Sequence, residues 1–149
     1  MKSSHTEERI SLGLDLVQWE YLLLGELREL IADPPTELTR RALAMVLDAL
    51  FDLLPARFDS EEHGGYLTDV TGRFPHWQDQ VDALRVEHGL LYEELRDLRS
   101  SVEDPEMFRK HSARLLSATE DWMDRVRTHE REERRLQQIA TNLTVGVGD

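Results

Sequence analysis

His129 and Glu133 lie one helical turn apart in the stretch Val126-Arg-Thr-His129-Glu-Arg-Glu-Glu133-Arg-Arg-Leu136. Both fall on a stripe that should be apolar: Leu115, Thr119, Trp122, Val126, His129, Glu133, Leu136, Ala140, in steps of three and four residues. At that separation both side chains can reach one point in a packed core. Ionisable groups buried there need a partner, a metal ion or a shifted pKa.

Three further stripes carry polar residues at similar depth. One reads Gly13, Leu16, Glu20, Leu23, Leu27, Leu30; a second reads Leu43, Leu47, Leu50, Leu54, Arg57, Glu61, Gly64. The third reads Val81, Leu84, His88, Leu91, Leu95, Leu98. Each interruption alone has a plain reading. Glu20 is a glutamate snorkelling from the stripe's edge, Arg57 and Glu61 are a surface ion pair of small worth, and His88 is a satisfied core histidine. An internal repeat argues for reading them together. Glu20-x-x-Leu23-x-x-x-Leu27-x-x-Leu30 matches His88-x-x-Leu91-x-x-x-Leu95-x-x-Leu98, and Arg57-x-x-x-Glu61 matches His129-x-x-x-Glu133.

The elements that must position these residues are four helices, expected over about 7–32, 36–64, 75–99 and 105–142. Asp33-Pro34-Pro35 ends the first, and Thr36 caps the second. Pro55 should kink the second helix before its polar pair, and Gly64-Gly65 ends it. Pro75 suits the first turn of the third, while Asp104-Pro105 opens the fourth. Residues 66–74 form a connector, and the Gly-rich tail after Asn142 should fray or fold back. Two similar hairpins joined by short loops predict an all-α, up-down-up-down four-helix bundle, with residues 1–149 as a single domain. That topology brings Glu20, Arg57, Glu61, His88, His129 and Glu133 together in the interior.

Composition narrows the function. The 149 residues suit one domain with a core. A net charge of −12 argues against a phosphate-binding surface and so against nucleic acid. The absence of cysteine excludes disulfides and thiolate chemistry. The N-terminus lacks a signal-peptide apolar run, and the apolar segment 12–31 carries too many charges to span a membrane. A cytoplasmic protein is expected.

Charge counting frames the site. Glu20, Glu61 and Glu133 against Arg57 leave two uncompensated negative charges when both histidines are neutral. Burying them would cost several kcal/mol. A divalent cation cancels the excess, and imidazole with carboxylate suits iron, zinc or manganese. The alternative is a metal-free polar network in which Arg57 pairs with two glutamates and water fills the rest.

The pattern resembles the hemerythrin-like, or HHE cation-binding, family of four-helix bundles. The resemblance covers nearly the whole chain. It is carried by Arg57-Phe58-x-x-Glu61-Glu62-x-Gly64-Gly65-Tyr66-Leu67, by Glu87-His88, and by His129-Glu130-x-x-Glu133 with Arg134-Arg135-Leu136-Gln137. It implies a non-haem iron site, mono- or dinuclear, with metal ligands at Glu20, Glu61, His88, His129 and Glu133. Glu20 and Arg57 depart from the family, which has histidine at both places. Glutamate can still bind metal; arginine cannot. One resulting hypothesis has His88, His129, Glu61 and Glu133 hold one ion, while the Glu20–Arg57 pair occupies the place of a second. A metal-binding protein that senses or carries oxygen, or reports iron, is expected, with no enzymatic activity. The alternative is a metal-free bundle acting as a protein-interaction module.

Other chemistry has weaker support. The Glu-x-x-His motif of ferritin-like oxidases is absent, and no serine lies at stripe spacing beside either core histidine. His63 and His76 fall off the stripes. His111 joins the fourth but lies about 27 Å along the helix from His129. Trp19, Trp77 and Trp122 read as packing residues.

Overall fold

The computed structural model describes the backbone of residues 2–64 and 77–147, and the side chains of 16–59, 77–139 and 141–142. Four helices make up the fold: α1 (Lys2–Ala32), α2 (Glu37–Gly64), α3 (Gln78–Glu103) and α4 (Pro105–Val147). They pack as a four-helix bundle in which α1 lies on α2, α2 on α3 and α3 on α4.

Side-chain pairs fix the directions. Glu20 of α1 meets Arg57 of α2, so the two helices run antiparallel through the Asp33-Pro34-Pro35 corner. Phe51 of α2 stacks on Tyr92 of α3, and Phe58 stacks on His88, so rising numbers on one helix meet falling numbers on the other. The pairs Glu87–His129 and Glu94–Arg125 give the same sense for α3 and α4. The start of α2 is tied to the end of α3 by Arg40. Its Nη1 donates to the carbonyls of Val102 at 3.2 Å and Glu103 at 3.3 Å, two groups a helix end leaves unpaired. Glu37 holds the other side of that guanidinium, and the hydrogen bond lowers the Glu37 carboxyl to about 2.

The stripes form the core. Leu43, Leu47, Leu50 and Leu54 of α2, Leu91, Leu95 and Leu98 of α3, and Leu115, Trp122 and Val126 of α4 are all buried. Trp122 is wholly enclosed, and its Nε1–H donates to the Leu91 carbonyl at 2.9 Å. Thr119, also enclosed, turns its hydroxyl to the Leu115 carbonyl at 2.7 Å. α1 differs. Leu27 and Glu20 are buried, while Val17, Trp19, Tyr21 and Leu22 are exposed around its other faces. Between Leu16 and Ile31 the helix carries apolar residues on several faces, and its contact with α4 is sparse.

Several expectations need correction. α3 begins at Gln78 and runs through Ser100-Ser-Val-Glu103, because neither serine is a breaker. The helix ends at Asp104, whose φ of −86° and ψ of 110° are the extended geometry required before Pro105. Pro75 lies outside the described residues. α1 already starts at Lys2 and α4 continues to Val147. His111 is exposed at a break in α4, with φ −128° and ψ 29°, and does not extend the inner stripe. Trp19 is exposed, so it is not a core packing residue. Thr36 and Asp104 do cap their helices: Thr36 Oγ1 accepts from Thr39 N–H at 3.2 Å, and Asp104 Oδ1 accepts from Glu106 N–H at 3.0 Å. No described helix is long and apolar enough to cross a membrane.

Two positions on α2 test inside against outside. Leu47→Ala should destabilise by about 2–5 kcal/mol through the cavity it leaves, whereas Met45→Ala, on the exposed face, should change stability by less than about 0.5 kcal/mol. Urea unfolding of the two variants reads the difference; equal losses would place α2 in the wrong rotation.

Candidate metal centre

The stripe of α4 carries His129 and Glu133 inward, at 1% and 6% exposure, because Trp122, Val126 and Leu136 anchor the same face in the core. α3 faces it antiparallel and brings His88, 3% exposed, to the same depth. One nitrogen from each histidine and one oxygen of Glu133 lie within 4.8 Å of one another. Bonds of about 2.0–2.2 Å allow a metal ion to span ligand pairs of nearly that separation. This group could hold a metal ion.

The atoms face each other closely. His88 Nε2 lies 3.3 Å from Glu133 Oε1. His129 Nε2 is in closer contact with the same oxygen, but it makes no hydrogen bond and is sealed from water. The other ring nitrogen, Nδ1, lies 2.5 Å from Oε1 of Glu87 on α3. The two imidazoles meet edge to face, with ring centroids 4.6 Å apart. Phe58 of α2 forms a wall. It stacks on His88 at 4.0 Å with planes 7° apart, and meets His129 edge-on at 6.3 Å.

Glu20, the acidic member of the α1 stripe, is not in this group. It is buried, at 3% exposure, and forms an ion pair with Arg57 of α2. Arg57 therefore points inward from its stripe and does not form an exposed surface pair. The side chain of Glu61 lies outside the described residues, as do those of His63 and His76. A cleft of about 390 Å³ between α1 and α4 is lined by Glu20, Arg57, Glu130 and Glu133, with Val17 and Tyr21 on its α1 wall. Glu133 thus touches both the histidines and an opening to the surface.

Two functional side chains had no assigned role from the sequence. Glu87 lies beside His88 but off the stripe, and it reaches across to α4 along the helix interface. Glu130 lies beside His129 and turns toward Glu20. Burial is the largest reason its carboxyl is pushed up to about 7; the charge and hydrogen bond of Glu20 add to this, and Arg57 opposes it. The usable signal was a glutamate adjacent to each core histidine.

Burial pulls the His129 pKa down, but the Glu133 carboxylate at Nε2 and the Glu87 carboxylate at Nδ1 raise it further, leaving it above its ordinary 6.5. His88 works against the rise. Both groups hold protons more tightly in the folded chain than in the unfolded one. Their contributions to folding stability are therefore present at low pH and are lost as pH rises, for Glu130 between about 4.5 and about 7, and for His129 above 6.5. Metal binding runs the other way, since His129 must lose its proton to become a ligand.

Comparison with known protein families, curated proteins and solved structures finds no match to this chain.

In metal-free protein, the unfolding free energy in urea should fall as pH rises from about 4.5 to about 7, and Glu130→Gln should remove most of the fall below 6.5. A flat profile in the unmodified chain would contradict the shift assigned to Glu130.

Proposed function

We propose that this chain binds one non-haem metal ion, iron foremost, inside the helical bundle, as a relative of the hemerythrin-like proteins its motifs resemble. The bound ion senses or carries a small ligand such as oxygen, or reports iron availability; the role is binding, not turnover. The observation that carries this reading is His129 Nε2, a buried nitrogen with no hydrogen bond, held against a carboxylate oxygen and close to a second imidazole. Three Lewis-base atoms around one point repel each other unless a cation or protons lie between them.

The donor set supports iron. Two histidines and one carboxylate leave coordination positions open, the arrangement suited to ferrous ions that take up an exogenous ligand. An iron ion held there would supply those open positions. The cleft that reaches Glu133 gives a small molecule a way in. Glu61, one turn from Arg57 on the α2 stripe, is the natural further ligand. A single ion is proposed because the Arg57 guanidinium already balances Glu20 beside the centre, where a second ion would otherwise be expected.

One observation favours the metal-free interaction module. Val17, Trp19, Tyr21 and Leu22 expose apolar surface on α1, as a helix that docks a partner would. Metal content separates the two readings. Protein purified without a His-tag and incubated with ferrous iron should carry one equivalent per chain, and His129→Ala should carry none. Bound metal at 100 times its dissociation constant should raise stability by about 2.7 kcal/mol. A chain that takes up no iron, zinc or manganese would overturn the proposal. Two ions per chain, both lost on Arg57→Ala, would overturn its stoichiometry.

A further inference from the structure

We infer that Glu87 is a positioning residue for His129, fixing the imidazole tautomer that leaves Nε2 able to bind metal. The inference rests on the metal-binding reading above. Glu87 Oε1 lies 2.5 Å from His129 Nδ1. A carboxylate only accepts hydrogen bonds, so Glu87 favours the neutral tautomer with its proton on Nδ1, against the Nε2–H tautomer that Glu133 would favour. Nε2 then carries a lone pair, and this is the nitrogen that faces Glu133 and makes no hydrogen bond. A carboxylate on the far nitrogen of a histidine ligand sets ring orientation and raises ligand basicity.

Packing does not explain the contact. The Glu87 side chain is 45% exposed, while its partner imidazole is 2% exposed. Glu87 lines two cavities that follow one another along the α3–α4 seam, so solvent reaches it and nothing requires it as filler. An exposed carboxylate that reaches in to a buried ring acts on that ring. Without it, the neutral ring has a competing tautomer. Nε2–H would donate to Glu133 Oε1, closing the centre to a cation. α3 thus contributes two adjacent residues with different tasks: His88 as a candidate ligand and Glu87 as the group that orients the ligand on α4.

The test uses metal-free, uniformly ¹⁵N-labelled protein at alkaline pH, where two-bond ¹H–¹⁵N correlation shows which ring nitrogen carries the proton. Wild type and Glu87→Gln should show His129 protonated at Nδ1, since the amide oxygen still accepts. Glu87→Ala should move the proton to Nε2. Zinc titration, with zinc as the probe, should show affinity reduced about 10–100-fold in Glu87→Ala and less in Glu87→Gln, with circular dichroism unchanged. An Nε2–H tautomer in wild type, or a Glu87→Ala variant with wild-type tautomer and affinity, would overturn the inference. If wild type binds no zinc, iron or manganese, the metal reading falls, and the tautomer readout still decides whether Glu87 sets His129.

Discussion

The structure depends on how the bundle balances carboxylates it cannot hydrate. Glu20 and Glu133 are buried where leucine would be the ordinary filling, and Glu130 sits half-buried beside them. A low-dielectric interior makes each negative charge costly, and partners must offset that cost. Two kinds of partner are present. On the α1–α2 side a guanidinium is built into the chain, with Arg57 against Glu20. On the α3–α4 side the partners are two imidazoles, which can be positive, neutral or metal-bound.

The rest of the fold delivers this arrangement. Spacing of three and four residues keeps each stripe inward, and antiparallel packing sets His88 opposite His129 and Glu133, and Glu20 opposite Arg57. Aromatic contacts hold the geometry in place: Phe58 stacks on the His88 ring, and the Trp122 indole is bonded to the Leu91 carbonyl one turn from that histidine. Interiors packed this closely leave rings little freedom to turn. The seam of α1 against α4 is loosely closed, and the cleft to Glu133 opens there.

Periodicity made most of this readable in the sequence. The burial of His88, His129 and Glu133 follows from stripe position alone, since leucine, valine and tryptophan neighbours fix the rotation of α3 and α4. The pairing of Arg57 with Glu20 followed from both lying on stripes that face each other. Glu87 and Glu130 were not legible, because residues next to a stripe point about 100° away from it and only long side chains bend back. The exposed Trp19 was misread because tryptophan's apolar area suggests burial, while α1 carries apolar residues on several faces. His111 was misread because a pattern cannot show that the backbone breaks at that residue.

The asymmetry of the interior bears on what the protein can bind. A guanidinium stays charged at every accessible pH, so the Glu20 side of the interior keeps a fixed, covalently tethered cation. The imidazole side has no such cation. His129 is drawn toward protonation by Glu133 and Glu87, and that proton is the competitor any metal ion must displace. Glu87 keeps the competition confined to Nε2 by holding Nδ1, so gain or loss of positive charge occurs at the atom that faces Glu133 and His88. Half of the charge balance is therefore permanent and half is exchangeable. On the proposed reading, the exchangeable half is where an ion from solution enters the structure.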